Sequence, residues 1–210
     1  MRVLVAGAHG KVGQDVTALL NESEHDVRAM VRKEAYVAEL EPFSAEVVVA
    51  DLTEDVSHAV SGCDAVVFAA GSSGSDIEGV DRDGAVKLIE AAEAQGVKRF
   101  VMLSSVGAGD PERGPEALRP YLEAKKEADE RLQASTLDYT VIRPGQLTDD
   151  AATGRIRAAE HFGEWGQIAR EDVAKTLVAA LGQPDTVGQT FEILEGDTPI
   201  EKVLKGVSSG

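Results

Sequence analysis

Short apolar runs rich in valine, leucine and isoleucine alternate with stretches of helical periodicity along this chain. Arg2 to Ala6 is the first such run and reads as a buried strand. From Val12 the apolar positions become Val12, Val16, Leu19 and Leu20, which share one face of a helix. Followed to the end, the alternation predicts strands near 2–6, 27–31, 46–50, 65–70, 98–103, 138–143 and 189–194. It predicts helices near 11–22, 34–40, 54–60, 79–95, 116–134 and 171–181. Strands separated by helices imply an α/β fold, here a parallel sheet of about seven strands flanked by helices on both faces. Right-handed crossovers favour the doubly wound strand order 3-2-1-4-5-6, with the last strand added at the edge. Gly71-Ser72-Ser73-Gly74-Ser75 follows a strand and is expected to be a loop at the site. The stretch 144–170, which carries Phe162 and Trp165, has no clear periodicity and is a candidate substrate flap.

Between the first strand and the first helix lies Gly7-Ala8-His9-Gly10-Lys11-Val12-Gly13. Strand, glycine turn and helix form the first unit of a dinucleotide-binding fold. A pyrophosphate must come close to the unpaired N–H groups that open the helix, where the helix dipole is positive. A side chain at Gly7 or Gly10 would obstruct the turn or the phosphate, and one at Gly13 would hold the helix off the strand.

In such a sheet, ligands sit beyond the carboxyl ends of the strands. The second predicted strand ends at Arg32-Lys33, where an NAD-specific protein usually carries an acid. An arginine there offers a planar fork to a 2′-phosphate, so NADP is expected over NAD, with Lys11 and His9 adding positive charge. The other reading of Arg32 and Lys33 is a solvated surface pair. Asp51-Leu52 closes the third strand, with Asp51 placed either to accept from an adenine amino group, Leu52 packing on the ring, or to cap the next helix. Ala69-Ala70-Gly71 closes the fourth with small residues that admit a ribose. Ser104-Ser105 closes the fifth, and because successive strand residues face opposite ways the two hydroxyls have different roles. Tyr121 and Lys125 follow, four apart on one helix face. An ammonium beside a phenol favours the phenolate and suits the pair to proton transfer.

Composition narrows the partners. A chain of 210 residues with 43% hydrophobic content suits one domain. No run is long enough to span a membrane, and the N-terminus enters a strand at once, so no signal peptide is expected. Cys63 is the lone cysteine and reads as a small apolar core residue, in keeping with a reducing, cytoplasmic setting. The four histidines show no metal-ligand spacing with Cys63 or with one another. The net charge is −16, from 37 acidic and 21 basic residues spread along the chain. Such a surface repels nucleic acid and anionic membranes, leaving a small-molecule substrate as the expected partner. It also resembles the surfaces of proteins from salt-loving organisms. On that reading thermal stability rises with added KCl, and full stability in dilute buffer would count against it.

Taken in order, the glycine turn, Asp51-Leu52, Ser104-Ser105, Tyr121 to Lys125, Leu137 to Gly145 with its Arg143-Pro144-Gly145 ending, and Arg170 to Ala174 resemble the short-chain dehydrogenase/reductase superfamily. Within it the chain is similar to the atypical group with an extended-type glycine motif. Biliverdin reductase B and the NmrA-like proteins are more distant relatives. The resemblance covers essentially the whole chain. It implies a single NAD(P)-binding Rossmann domain over 1–210, with a small substrate region around 144–170. It implies an NADP site at the glycine motif and Arg32, a catalytic set of Ser105, Tyr121 and Lys125, and Pro144 and Gly145 beside the nicotinamide. Lys125 would also hold the nicotinamide ribose. The chain departs from the superfamily at Asp81, which stands where the usual asparagine does, and no extended C-terminal substrate domain is expected after the seventh strand. The implied activity is that of an NADP-dependent oxidoreductase on a small carbonyl or alcohol, a quinone or a flavin. The alternatives are a non-enzymatic NADP(H) sensor and a nucleotide-sugar epimerase or dehydratase. Many relatives are homodimers, paired through the helices that flank strands four and five.

Overall fold

Strand β1 (Arg2–Ala6) runs through the middle of the molecule, with Val3, Leu4, Val5 and Ala6 wholly buried. The computed structural model describes residues 1–43, 45–72 and 74–207. Ser73 of the expected 71–75 loop and residues 208–210 of the expected domain lie outside the described residues. After β1 come α1 (Lys11–Asn21), β2 (Asp26–Val31), α2 (Val37–Leu40), β3 (Glu46–Val49), α3 (Ser57–Val60) and β4 (Ala65–Phe68). The second half adds α4 (Asp83–Ala94), β5 (Arg99–Leu103), α5 (Arg119–Gln133) and β6 (Asp138–Pro144). Three short strands follow, β7 (Gln146–Thr148), β8 (Arg155–Ala159) and β9 (Gln167–Ala169). The chain then forms α6 (Arg170–Leu181), β10 (Gln189–Glu195), β11 (Thr198–Pro199) and α7 (Ile200–Leu204).

Among the described residues the main sheet has nine strands in the order β3-β2-β1-β4-β5-β6-β10-β8-β11. The first seven in that order pair in parallel, as the βαβ alternation requires. Period-two alternation splits β1 between two cores. Val3 and Val5 pack with Val12 and Val16 of α1 and Leu177 of α6, while Leu4 and Ala6 pack with Leu88 and Ile89 of α4 and Leu132 of α5. Both faces of the sheet are thus covered, and the chain reverses its winding between β1 and β4. That reversal opens a crevice above their carboxyl ends.

The doubly wound order is as expected; the strand count is larger. The seventh predicted strand, β10, is not at the edge, because β8 and then β11 add beyond it in antiparallel sense. The stretch 144–170 is not featureless. It contains β8, and β7 pairs with β9 in a separate two-stranded sheet. Two of these strands are three residues long, too short to show a period. In β8 the arginines of Arg-Ile-Arg mask a single buried Ile156. The predicted helix at 54–60 shrinks to α3, because Asp55 accepts from the N–H and hydroxyl of Ser57 and closes a turn first. A wide π-helical turn, Ile77–Arg82, precedes α4. Cys63 is buried, and desolvation pushes its thiol up, in keeping with a packing role.

Candidate active site

The glycine turn holds the crevice open by close backbone approach. Gly7 has φ +85°, a conformation that favours glycine, and a Cβ there would lie 2.6 Å from the Ala70 Cα. A Cβ at Gly13 would lie 2.1 Å from the Gly7 carbonyl oxygen, so α1 seats directly on the turn. Gly10 is different. Its only close neighbour would be the Gly7 oxygen at 3.4 Å, which leaves the space before it open. Gly10 precedes α1 without any side-chain cap, and the first N–H groups of that helix need another partner. An uncapped helix start beside an open glycine fits a phosphate group.

The cleft above this turn has a volume of about 890 Å³. One end is bordered by Arg32, Tyr36, Asp51 and Leu52, and the other by Ser105, Tyr121, Lys125, Pro144 and Gly145. Gly7, His9, Gly10, Lys11 and Val12 line the middle, opposite Ala69, Ala70 and Gly71. Sequence positions from six strand ends thus meet in one cavity. Two expected members stand behind it instead. Ala8 is wholly buried, its N–H donating to the Met30 carbonyl, and Gly13 packs on the turn.

At the end bordered by Arg32, no ion pair of Arg32 occurs among the described residues. Asp51 accepts from both the N–H and the hydroxyl of Thr53, and these bonds hold its carboxyl below the usual range. His9 stacks on Tyr36 at 3.7 Å between ring centroids, with its Nε2 3.2 Å from Glu39. Lys11 reaches across the cleft to Asp149 at 2.8 Å, and Arg170 takes the other oxygen of that carboxylate at 3.0 Å. The extra positive charge expected from Lys11 and His9 is therefore shared with acidic partners.

At the other end, α5 carries Tyr121 and Lys125 on one face, as the spacing requires. Lys125 is buried, with its Nζ 5.7 Å from the Tyr121 ring centroid and 5.8 Å from that of Phe68. Its charge partner is Asp81, 1% exposed, whose Oδ1 lies 3.3 Å from Nζ without hydrogen-bond alignment. The second Asp81 oxygen accepts from the N–H and the hydroxyl of Ser72. The two serines diverge as the strand period demands. Both border the cleft, but the Ser104 hydroxyl is turned to donate to the buried Asp129, whereas the Ser105 hydroxyl donates to the Val106 carbonyl. Arg143 also donates to Asp129, at 2.9 Å, yet burial pushes that carboxyl up.

Sequence reasoning did not place Tyr36, Ile77, Val80 or Leu118 in the site, and all of them border the cleft. Asp81 was noticed only as a departure, although its place three residues before Gly84 was the available signal. Of the stretch 144–170, Pro144, Gly145 and Leu147 border the cleft. Trp165 stands nearby, half exposed, its ring edge 2.7 Å from where a Gly107 Cβ would lie. Behind it the buried Glu192 accepts from the N–H of Phe162 and pairs with the His161 ring. Among the described residues no cluster of His, Cys, Asp or Glu is arranged to hold a metal ion, and no helix is long and apolar enough to cross a membrane.

Comparison with known proteins adds three relatives and a family model. A family model described as NAD(P)H-binding matches residues 7–184. An uncharacterized sugar epimerase of Bacillus subtilis (strain 168) is 46% identical over 213 residues, spanning 98% of this chain and 99% of that protein. A solved structure from Bacillus halodurans, provisionally named an NAD-dependent epimerase/dehydratase, superposes with a TM-score of 0.94 at 47% identity, covering 98% of this chain and 99% of that one. ChuY, an anaerobillin reductase from Escherichia coli O157:H7, superposes with a TM-score of 0.84 at 27% identity, covering 94% and 98%.

Proposed function

The chain belongs to the NAD(P)H-binding family, and from that premise we propose that it is an NADP-dependent oxidoreductase acting on a small carbonyl or alcohol, a quinone or a flavin. The observation that supports this most is the single cleft that joins the open glycine turn to Ser105, Tyr121 and Lys125. A reductase among the superposable structures agrees with it.

In this reading the N–H groups that open α1 take the pyrophosphate, and Arg32 takes the 2′-phosphate. Lys125 holds the nicotinamide ribose. The bound nicotinamide supplies or accepts a hydride. Tyr121 gives a proton to the substrate oxygen or takes one from it, and Ser105 donates a hydrogen bond to the same atom. Ile77, Leu118 and Leu147 give this end of the cleft apolar walls that limit water.

Arg32 carries the preference for NADP, since β2 is followed directly by Arg32-Lys33 with no acid, and Lys11 is engaged by Asp149. Calorimetric titration with NADPH and NADH tests it. Wild-type protein binds NADPH more tightly, and Arg32→Ala loses about 10- to 100-fold of NADPH affinity with little change for NADH, the worth of a charge-assisted phosphate contact. Equal binding of both cofactors by the wild type removes the NADP preference. Binding of neither removes the oxidoreductase reading.

The epimerase name of the Bacillus relative suggests a sugar nucleotide. The cleft offers such a diphosphate little, because Lys11 and Lys125 both face carboxylates and the only other lining cation among the described residues is Arg32.

A further inference from the structure

We infer that the site takes an uncharged, largely apolar hydride acceptor and turns away anionic ones, such as keto acids, phosphate esters and nucleotides other than the cofactor. The inference rests on the oxidoreductase reading above, which puts the substrate at the end bordered by Ser105 and Tyr121.

The cations that border the cleft among the described residues are few, and each is already placed. Arg32 stands at the opposite end, with Tyr36 and Asp51. Lys11 meets Asp149 at 2.8 Å, and Arg170 shares that carboxylate. Lys125 faces the buried Asp81, whose Oδ1 is 3.3 Å from Nζ. The other Asp81 oxygen accepts from the N–H and the hydroxyl of Ser72, so the carboxyl is fixed beside Lys125. The substrate end thus has one ammonium, shared with a carboxyl and engaged by the nicotinamide ribose. A carboxylate or phosphate arriving there meets no unshared positive group, and an anion taken out of water without one is penalised.

The walls at this end are apolar. Ile77 and Val80 come from the turn before α4, Leu118 from the turn before α5, and Leu147 from β7. Leu118 is 44% exposed, an unusual degree for a large apolar side chain. The polar groups that join them are the hydroxyls of Ser72, Ser75, Ser105 and Tyr121. Apolar walls with a few neutral hydrogen-bonding groups suit an uncharged ligand whose oxygen must be oriented.

The surroundings carry the same sign. A second groove adjoins this end and shares Gly74 and Ile77 with the cleft. It is bordered by Asp76, Glu78, Glu123 and Glu127, and by Arg82. Arg82 lies 2.6 Å from Asp83 and 3.6 Å from Glu127, so its charge is spoken for. With a net charge of −16 on the chain, an approaching anion is repelled before it arrives. The phosphates of a bound cofactor add to that repulsion.

An uncharged carbonyl stays uncharged through the reaction. Its carbon takes the hydride of the reduced nicotinamide, its π electrons move to oxygen, and that oxygen takes the Tyr121 proton. Solvent then returns a proton to the tyrosine. A hydride and a proton together add no net charge, so the alcohol leaves as uncharged as the substrate came.

The test uses matched pairs that differ in charge and little else: para-formylbenzamide and para-formylbenzoate, a naphthoquinone with a propanamide or a propanoate side chain, and riboflavin and flavin mononucleotide. Each is offered to the protein with NADPH, and kcat/KM is measured. In every pair that reacts, the neutral member is favoured by about tenfold or more. Leu118→Arg places a guanidinium at the mouth and narrows that ratio by about two- to fivefold, the worth of an exposed ion pair. Equal or reversed ratios in the wild type overturn the inference. An unchanged ratio in folded Leu118→Arg also overturns it, since something other than charge then separates the pair. If no pair reacts, the oxidoreductase reading fails, and equilibrium dialysis of the same compounds, with and without NADP, decides the inference alone. Preferential retention of the neutral members supports it; equal retention, or retention of neither, overturns it.

Discussion

Tyr121→Phe is expected to lower turnover by about 10²- to 10⁴-fold, the usual worth of a positioned general acid or base, while cofactor affinity stays within about twofold. The substitution is clean because the ring stays. Tyr121 is half-buried, and Lys125 lies above its ring plane region at 5.7 Å from the centroid, a contact that phenylalanine also makes. The Lys125–Asp81 pair and the Ser72 anchor do not involve the phenol oxygen. Cofactor oxidation measured at saturating substrate gives the turnover, calorimetry gives the affinity, and a melting curve checks the fold. Retention of full turnover would remove Tyr121 from the mechanism and leave Ser105 as the nearer candidate to orient the substrate oxygen.

The second large effect separates folding from ligand binding within the glycine turn. Gly13→Ala places a methyl 2.1 Å from the Gly7 carbonyl oxygen and 2.9 Å from the Ala8 Cα, and both neighbours are backbone. The helix must lift from β1. Overpacking of that kind costs about 3 kcal/mol, and the better helix propensity of alanine returns about 1 kcal/mol. The net loss of about 2 kcal/mol lowers Tm by roughly 4–8 °C in a chain of this size. Gly10→Ala meets nothing closer than 3.4 Å, so Tm changes little. That methyl instead stands where a phosphate would approach the start of α1, and NADPH affinity falls by about tenfold or more. Loss of Tm in both variants, with no separate loss of affinity in Gly10→Ala, would reduce the turn to a packing feature.

Much of this was readable in advance, and the reasons are physical. β1 and the strands on either side of it are buried on both faces and appear as continuous apolar runs, and the helices between them keep a clear period. The glycine turn was readable because close approach leaves glycine as the residue that fits. The strand ends, once ordered, pointed to one crevice. The β8 strand was hidden because Arg155 and Arg157 flank its one buried side chain, and β7 and β9 because three residues make no pattern. The ion pairs were hidden for a different reason. Lys11 and Asp149 meet across 138 positions of sequence, and Asp81 reaches Lys125 only because the turn before α4 packs on α5. Neither meeting leaves a local trace. The same holds for Ser104: that its hydroxyl differs in role from that of Ser105 followed from strand alternation, while its partner Asp129 did not.

Trp165 gives the molecule an intrinsic optical probe. It is the sole tryptophan in the chain, and its ring edge rests at Gly107, two residues beyond Ser105. Half of it faces solvent, so its emission wavelength depends on how that segment is seated. Excitation on the red side of the tyrosine band addresses this one residue without labelling. On the proposed function, substrate docking at Ser105 is expected to register as a spectral shift, and a stopped-flow instrument would separate its rate from that of the chemistry.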